Sequence, residues 1–440
     1  LNADLEIVPA VAKSWAFSDD DLTLTFNLND GATFHDGAPV TSADVKASYE
    51  RILNEDTGAV TRVNFVSIEE IQTPDDKTVV FQLSRQDVPI LTAMTDINAA
   101  ILPSGQIEAD AIGTTAIGSG PFKLDEWSPN AKSVLSANAD WWAGPPTIDG
   151  IEISVLPDET AILASLRSGN LDFALINDPL VASLIGQESE IELNKAPALS
   201  YHVLQLNPSR EAFADLAVRQ AISCAINRQE ILDTASLGEG TVTGPLTIPA
   251  YSTDPSELFC YETDMEKAAE LIAASSASDG LSVKVIAAQG EPATAAAEAQ
   301  IIQAQLANIG IDVEIEMLEL SVYIDRWLAA DFDMAVAHNS GRADPFTMYN
   351  RYWTKEGNLQ KVSNYIDDEL DNLMQQGRVE SDPAKRAEIF TSFEKHITEM
   401  SPWVWLYNGF EYTAQQPYVE GFVPTPTDSL LGLSQVTISR

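Results

Sequence analysis

Histidine is the side chain that most often carries acid–base or metal chemistry near neutral pH, and this chain contains four. They are His35, His202, His338 and His396, and none has the spacing of a zinc-binding motif. The sequence also lacks the patterns G-x-S-x-G, H-E-x-x-H, Walker A and G-x-G-x-x-G. We therefore expect no catalytic residues, no metal site and no cofactor.

Carboxylates are far more numerous, with 66 Asp and Glu against 25 Lys and Arg and a formal net charge of −41. Among so many acids, a pair suited to glycoside hydrolysis carries no information, so a secreted hydrolase stays open as a distant alternative. The charge repels phosphate backbones and anionic lipids, so we expect no nucleic-acid partner. Because the acids are spread along the chain, a solvated acidic surface explains them. Attraction of a cationic ligand is the alternative.

The two cysteines, Cys224 and Cys260, match no metal-ligand spacing. They could form a disulfide if the protein is exported, and two buried thiols are the alternative. The chain opens at Leu1 without Met, so the sequence does not show whether a signal peptide preceded it.

Length and patterning predict a protein of more than one domain. A chain of 440 residues exceeds what one hydrophobic core usually supports, and it has no apolar run of about 18 residues that could span a membrane. Strand and helix patterns alternate through most of the sequence, which predicts an α/β fold. Residues 22–28 alternate as a half-buried strand does, and Thr41 with Asp44 resembles a capping box that begins the next helix.

The clearest predicted unit lies in the second half of the chain. A strand over 281–286, a helix over 294–309 ended by Gly310, and a strand over 311–317 form a βαβ pattern, which predicts a parallel sheet. A helix over 322–329 and a strand over 332–337 follow. A similar pattern of strand, short helix and strand covers residues 151–175. Two such units, far apart and without a Pro/Ser-rich linker, predict two lobes joined directly by strands.

Several segments together resemble one family, the peptide/nickel/oligosaccharide class (family 5) of extracytoplasmic solute-binding proteins of ABC importers. The segment Phe34-His35-Asp36-Gly37-Ala38-Pro39-Val40-Thr41 with Asp44-Val45 is similar to the family's F-H-D-G-x-P-x-T-A-x-D-V signature. Shorter resemblances occur in the same order as in the family, at residues 5–15, 118–122, 168–172 and 218–228.

The resemblance implies a two-lobed periplasmic-binding-protein fold, class II and large, with the ligand cleft between the lobes. Lobe 1 is expected over residues 1–204, with an extra subdomain at about 30–150. Lobe 2 is expected over 205–411, and residues 412–440 return to lobe 1. A ligand that contacts both lobes only when they are closed would drive closure by its difference in affinity.

The resemblance also places a ligand-lining loop after a strand of lobe 2, with His338, Asn339, Gly341, Arg342 and Asp344 as candidates. Peptide-binding members carry an Asp at the position of Gly341, where it pairs with the peptide's amine. Its absence here weakens the ordinary peptide interpretation. Arg342 could hold a ligand carboxylate or phosphate, and pairing with Asp344 is the alternative. Asp344 could contact ligand or organise the loop.

Four aromatic or imidazole side chains on the segments that cross between lobes complete the candidate set. Trp403 and Trp405 share one side if their segment is a strand, and they could stack on a ligand or belong to a buried core. Tyr201 and His202 have a similar position on the first crossing segment.

The function implied is capture of a small organic ligand and its delivery to the membrane subunits of an ABC permease. A modified peptide, an opine-like conjugate or an oligosaccharide would fit, and an ordinary di- or oligopeptide is the alternative. We expect a monomer without enzymatic activity. It would be periplasmic or extracellular, either free or lipid-anchored at the membrane surface.

Overall fold

The computed structural model describes residues 1–113, 116–156 and 158–440, which divide into two compact units. Unit 1 comprises Leu1–Ala174, Glu188–Asn194 and Thr413–Arg440, and unit 2 comprises Leu175–Gln187 and Lys195–Tyr412. The chain therefore passes repeatedly from one unit to the other. No helix of the described residues has the length and apolar character needed to cross a bilayer.

Strands and helices alternate along the described chain. The strands are β1 (Ala12–Phe17), β2 (Thr23–Leu28), β3 (Ile68–Asp75), β4 (Thr78–Leu83), β5 (Phe122–Ser128), β6 (Lys132–Ala137), β7 (Gly150–Ser154), β8 (Phe173–Ile176), β9 (Glu192–Pro197), β10 (Tyr201–Leu206), β11 (Leu281–Ala288), β12 (Ile311–Leu318), β13 (Met334–Asn339), β14 (Trp403–Tyr407), β15 (Phe410–Gln415), β16 (Val419–Glu420) and β17 (Thr437–Ile438). The α-helices are α1 (Ser42–Leu53), α2 (Ile90–Ala93), α3 (Ser104–Glu108), α4 (Glu159–Arg167), α5 (Pro179–Ile185), α6 (Glu211–Ala214), α7 (Leu216–Ala225), α8 (Arg228–Ala235), α9 (Met265–Ala273), α10 (Ala295–Ala307), α11 (Leu320–Leu328), α12 (Pro345–Trp353), α13 (Gln360–Ser363), α14 (Asp368–Val379) and α15 (Pro383–Met400).

Unit 1 contains a four-stranded antiparallel sheet of order β1-β2-β4-β3 with α1 packed against it. The predicted strand over 22–28 is confirmed as β2. The predicted helix start is also confirmed, because the Asp44 carboxylate accepts hydrogen bonds from the backbone N–H and the hydroxyl of Thr41 at 2.9 and 2.7 Å. Val45, Tyr49 and Ile52 then face the sheet, as their helical spacing requires.

The pattern over residues 151–175 does not form the α/β unit that the sequence predicts. Its elements exist as β7, α4 and β8, but β7 pairs with β6 in a three-stranded sheet of order β5-β6-β7. β8 belongs to another sheet, of order β8-β15-β9. The partner of β8 returns from the end of the chain, and a local sequence pattern carries no signal of such a distant pairing.

Unit 2 is built on a five-stranded mixed sheet of order β12-β11-β13-β10-β14. The predicted βαβ unit is confirmed here, with β11 and β12 parallel from Leu281↔Ile311 to Ala288↔Leu318. Gly310 adopts φ of 81° between α10 and β12, in the left-handed region that glycine favours.

Both faces of the unit 2 sheet are buried. Val283 and Val285 of β11 point to the core cluster under α7, α8 and α10, whereas Ile286 packs with Tyr323 and Phe332 on the other face. Such a sheet needs apolar residues at nearly every position, and all six residues of β10 are buried.

Cys224 at the end of α7 and Cys260 in the loop before α9 form a disulfide. Of the two alternatives that the sequence left open, the structure shows the disulfide, which ties that loop to the core of unit 2.

The observed units differ in detail from the predicted lobe boundaries. β10 pairs with β13 and β14, so a boundary after residue 204 would cut a strand of the unit 2 sheet, whereas the units change between Asn194 and Lys195. A subdomain beginning at residue 30 would likewise separate β1 and β2 from their partner β4. The last change of unit falls between Tyr412 and Thr413, beside the predicted return at residue 412.

Candidate ligand site

The candidate residues on β10 lie on opposite faces of the unit 2 sheet, because successive side chains of a strand alternate. Tyr201 faces α12, where its ring centroid lies 5.7 Å from that of Tyr349 and its hydroxyl accepts a hydrogen bond from Asn339 at 3.3 Å. His202 faces α10, with its Nδ1 2.8 Å from Oε1 of Glu298. The structure therefore places Tyr201 and His202 on different faces of the sheet, and a ligand contact by either residue remains a prediction.

Trp403 and Trp405 share the α12 face with Tyr201, as their spacing predicts, but both are buried, with 1% and 3% of their surface exposed. Trp405 Nε1 donates to the hydroxyl of Tyr349 at 3.0 Å, and the Trp403 ring lies 4.8 Å from that of Trp353. The structure therefore places most of their surface in a packed interior, because this side of β14 is covered by α12.

Asp344 organises the loop before α12. Its Oδ1 accepts a hydrogen bond from the Phe346 N–H at 2.9 Å, which caps the helix, and its two carboxylate oxygens lie 2.7 and 3.1 Å from the guanidinium of Arg386. Both side chains are buried. Asp344 thus pairs with Arg386, in contrast to the alternative that it pairs with Arg342.

Gly341 and Arg342 occupy a tight loop. A Cβ built on Gly341 would overlap the carbonyl carbon and oxygen of Leu199, so the structure has no room for a side chain at this position. Arg342 donates from Nη1 to the Gly341 carbonyl at 3.0 Å and remains half-buried.

A row of rings crosses three strands on the α10 face of the sheet. His202 of β10 is the register partner of His338 on β13 and of Tyr407 on β14. Its ring is stacked on that of Tyr407 at 4.2 Å between centroids and tilted against that of His338 at 4.6 Å. Packed protein atoms and the neighbouring His202 lower the pKa of His338 to about 3, so this ring is neutral near pH 7 although part of it stays exposed.

A fully buried carboxylate lies beneath this row. Oε1 of Glu298 accepts hydrogen bonds from the hydroxyls of Thr294 and Tyr407 at 2.5 and 2.6 Å, besides its 2.8 Å contact with His202. Burial alone would raise the pKa of Glu298, but the charge of His202 and the donated hydrogen bonds lower it. Glu298 is therefore ionised near neutral pH and fixes the position of His202.

His202 and His338 line a pocket of about 530 Å³, mouth included, whose described lining residues all belong to unit 2. Besides the two histidines, the lining includes Ser200, Glu239, Glu291, Phe410, Glu411 and Tyr412. Within the described ranges, His, Cys, Asp and Glu form no group of three that could hold a metal ion.

The interpretation of the sequence included His202 and His338 but missed the acidic residues around them. Glu298 carries a detectable signal, because it lies four residues before Ile302 on the predicted buried face of the helix, and an acid at such a position needs a partner. Glu239, Glu291 and Glu411 lie in separate segments without a motif and could not be found in the same way.

Two of the segments that carry the family resemblance contact each other in unit 1. The ring of His35 lies with Nδ1 3.2 Å from the Gly118 backbone nitrogen and Nε2 3.1 Å from the Gly120 oxygen. His35 therefore holds the two signature loops together, which is a structural role.

Comparison of this chain with known protein families identifies the class of protein to which it belongs. The model described as "Bacterial extracellular solute-binding proteins, family 5 Middle" matches residues 6–360. The chain belongs to this family. It is a solute-binding protein of an ABC importer, with the two-lobed α/β fold of family 5.

Relatives of this family 5 protein are named as peptide-binding proteins. A probable D,D-dipeptide-binding periplasmic protein, DdpA of Escherichia coli K12, is 27% identical over 430 residues, which cover 94% of this chain and 82% of the relative. Di/tripeptide-binding protein 2 of Pseudomonas aeruginosa UCBPP-PA14 is 25% identical, over 96% of this chain and 84% of its own length.

Solved structures of family 5 proteins share the fold over the whole chain. AgaA of A. tumefacien R10, in complex with agropinic acid, has a TM-score of 0.89 at 29% identity, covering 100% of this chain and 91% of that one. The periplasmic binding protein DppA of Helicobacter pylori, in complex with the peptide STSA, has a TM-score of 0.89 at 25% identity, covering 100% and 90%.

Proposed function

We propose that this family 5 protein captures an opine-like or otherwise modified amino-acid conjugate in the unit 2 pocket for delivery to an ABC permease. The observation that carries the proposal is the pocket itself. It is a concave site that combines aromatic rings with convergent polar groups, as binding sites for organic solutes do. The relative AgaA supports this ligand class, because its structure contains agropinic acid, an opine-like compound.

An ordinary short peptide is the second candidate ligand, favoured by relatives named for di- and tripeptides and by the STSA complex. The glycine at position 341, Gly341, argues against an ordinary peptide ligand. Overlap with Leu199 excludes any side chain there, so the amine anchor expected of peptide-binding members is absent, and no carboxylate can be restored without moving the backbone. An oligosaccharide remains a further prediction of the resemblance.

Several finer expectations belong to the same proposal. Relatives named as periplasmic binding proteins support a location outside the cytoplasm, and we propose that the protein acts as a monomer without enzymatic turnover or a nucleic-acid partner. Lipid anchoring, closure of the lobes on the ligand, and a ligand contact by Arg342 also remain predictions.

Mass spectrometry of small molecules released from the gently purified protein tests the proposed function. We expect one predominant organic compound of the amino-acid conjugate class at close to one equivalent, recovered chemically unchanged after incubation. Recovery of unmodified di- or tripeptides would favour the second candidate. Steady conversion of added conjugates or oligosaccharides into products would contradict the binding function.

A further inference from the structure

A second pocket lies in unit 2, and it shares no described lining residue with the unit 2 pocket proposed for the solute. We call it the Arg228 pocket. Its wall includes Arg228 of α8, Trp403 and Trp405 of β14, and Phe259 and Tyr261 of the loop that the disulfide holds. None of its described lining residues is Asp or Glu, although the chain as a whole is strongly acidic. Among these residues the only charged side chain is therefore the guanidinium of Arg228.

This guanidinium is buried without a counter-anion. Arg228 is 7% exposed, and burial lowers its pKa to about 10, so it remains charged near pH 7. Arg386, which is also buried, is paired with the Asp344 carboxylate at 2.7 Å. Arg228 has no such ion pair with an Asp or Glu in the part of the chain that the structure describes. A buried charge needs compensation, so an anion bound beside it would be favourable.

Arg228 also keeps one N–H donor unused. Its Nε donates to the Trp405 oxygen at 2.9 Å, and its Nη1 donates to the oxygens of Cys260 and Tyr261 at 2.8 and 3.0 Å. Nη2 has one partner, the Ser223 hydroxyl at 3.3 Å. A guanidinium carries five N–H groups, two of them on Nη2. One Nη2 N–H is thus without an acceptor among the described residues, and a buried donor that stays unpaired costs free energy.

The Ser223 hydroxyl provides a second donor at the same place. Its oxygen accepts the bond from Nη2, and its own hydrogen has no acceptor among the residues that the structure describes. Ser223 lines the pocket together with Arg228 and is 3% exposed. Two neighbouring donors, one of them charged, in a pocket wall without acids are the elements of an anion site.

The acidity of the chain opposes such binding only weakly. The net charge of −41 repels anions at long range, but salt screens this repulsion over about 8 Å at physiological ionic strength. The buried carboxylate of Glu394 lies behind Gly244 of the pocket wall, where it accepts hydrogen bonds from the Leu246 N–H and the Thr253 hydroxyl. Burial raises the pKa of Glu394, which makes its ionised form less favourable. The direct contact with Arg228 should therefore determine the binding.

We propose that the Arg228 pocket binds a small monovalent anion such as chloride, which accepts hydrogen bonds from Nη2 of Arg228 and from the Ser223 hydroxyl. The anion neutralises the buried guanidinium and thereby stabilises the contacts of Arg228 with β14 and with the disulfide loop. This site is independent of the proposed function, because it uses a different pocket and different residues.

Thermal unfolding at constant ionic strength tests the inference. Replacing sodium gluconate, which has a large organic anion, by sodium chloride should raise the unfolding midpoint by about 1–3 °C, because a ligand that binds only the folded state stabilises it. Sodium acetate in a third series distinguishes two sources of such an anion. A rise with both chloride and acetate supports a site for any small monovalent anion, and a rise with chloride alone supports a halide site.

Two arginine variants localise the effect. Arg228→Gln removes the cation and should abolish the chloride-specific rise. Arg219→Gln is the matched control, because Arg219 is another buried arginine that donates to backbone carbonyls but lies outside this lining. This control should keep the rise.

Anomalous X-ray scattering from wild-type crystals grown with sodium bromide locates the anion without any variant. We expect a bromide peak within hydrogen-bond distance of Nη2 of Arg228. Equal midpoints in gluconate and chloride, a rise that survives in Arg228→Gln, or bromide bound elsewhere but not beside Arg228 would overturn the inference. If Arg228→Gln does not fold, the position of bromide in the wild type decides.

Discussion

At the scale of single residues, the acidic side chains of this chain differ in their contribution to stability, depending on whether they are solvated or buried. Most of its 66 acids are solvated, but Glu298 and Asp344 are buried and each is held by specific partners. Burying a carboxylate is unfavourable unless donors and opposite charge compensate for its lost hydration. Substitution of either residue should therefore change the free energy of unfolding measurably, whereas substitution of a solvated surface acid should change it little.

Asp344→Asn should lower the free energy of unfolding by about 3–5 kcal/mol, because it leaves the guanidinium of Arg386 buried without its anion. Chemical denaturation of the wild type and variant measures the change. Glu257→Gln is the matched control, since Glu257 forms an exposed pair with Lys395 at 3.2 Å and its loss should cost less than about 1 kcal/mol. A loss at Asp344 no larger than that of the control would show that the buried pair is not essential.

Glu298 predicts a pH dependence of stability. The folded protein lowers the pKa of this carboxyl from its ordinary value of 4.5, so the unfolded chain binds its proton more readily. The resulting stabilisation is fully present above about pH 5 and is lost as the pH falls through the lowered pKa of the folded state.

Glu298→Gln keeps the length of the side chain but removes this titration. Thermal unfolding measured between pH 7 and pH 3 should fall less steeply in the variant than in the wild type. Parallel curves for the two proteins would contradict the assignment of a lowered pKa to Glu298.

At the scale of elements, the sequence predicts structure well where the signal is local. The βαβ unit of β11, α10 and β12 follows from periodicity and a capping glycine, and α1 follows from a capping box. The unit expected over residues 151–175 fails because β8 takes its partner from β15, far along the chain. Local patterns specify elements, whereas the pairing of distant strands depends on the tertiary fold.

The candidate site likewise separates what a local sequence pattern predicts from what depends on the tertiary fold. His202 and His338 line the pocket, whereas Tyr201, Trp403 and Trp405 lie on the face of the sheet that α12 covers. The alternation of side chains between the two faces of a sheet can be predicted from a strand pattern. The face that carries the pocket cannot be predicted in this way, because it depends on the helices that cover the sheet.

In the loop before α12, we expect any side chain added at Gly341 to disturb the packing. Gly341→Ala should destabilise the protein by about 1–3 kcal/mol, because the new Cβ overlaps the backbone of Leu199. Gly105→Ala is the control, as Gly105 is exposed in α3 with no atom within 4 Å of an added Cβ. Equal thermal midpoints for the two variants would show that the loop relaxes easily and could admit a larger residue.

At the scale of the whole molecule, the disulfide between Cys224 and Cys260 contributes to stability. Replacing both cysteines, Cys224→Ala with Cys260→Ala, should lower the free energy of unfolding by about 2–4 kcal/mol, because the unfolded chain regains freedom over a separation of 36 residues. Urea denaturation of the variant, beside the wild type with and without reductant, measures the loss. A variant as stable as the oxidised wild type would contradict it.

The family assignment shows a solute-binding protein of an ABC importer, and we propose that it binds one solute in the unit 2 pocket and releases it intact. Aromatic and acidic side chains from distant segments meet at the pocket, and the sheet that carries His202 and His338 is rigidly packed on both faces. A binding site supported in this way changes little in itself, so specificity should depend on the groups at its wall.

Isothermal titration of agropinic acid into the wild type and Ala293→Trp tests this description most directly, since that compound is bound by a relative of the same fold. The tryptophan fills the unit 2 pocket from an exposed lining position. We expect saturable binding at one equivalent to the wild type, recovery of the compound unchanged, and loss of binding in the filled pocket. Binding of equal strength to both proteins, or consumption of the compound, would contradict the assignment of this pocket as the solute site.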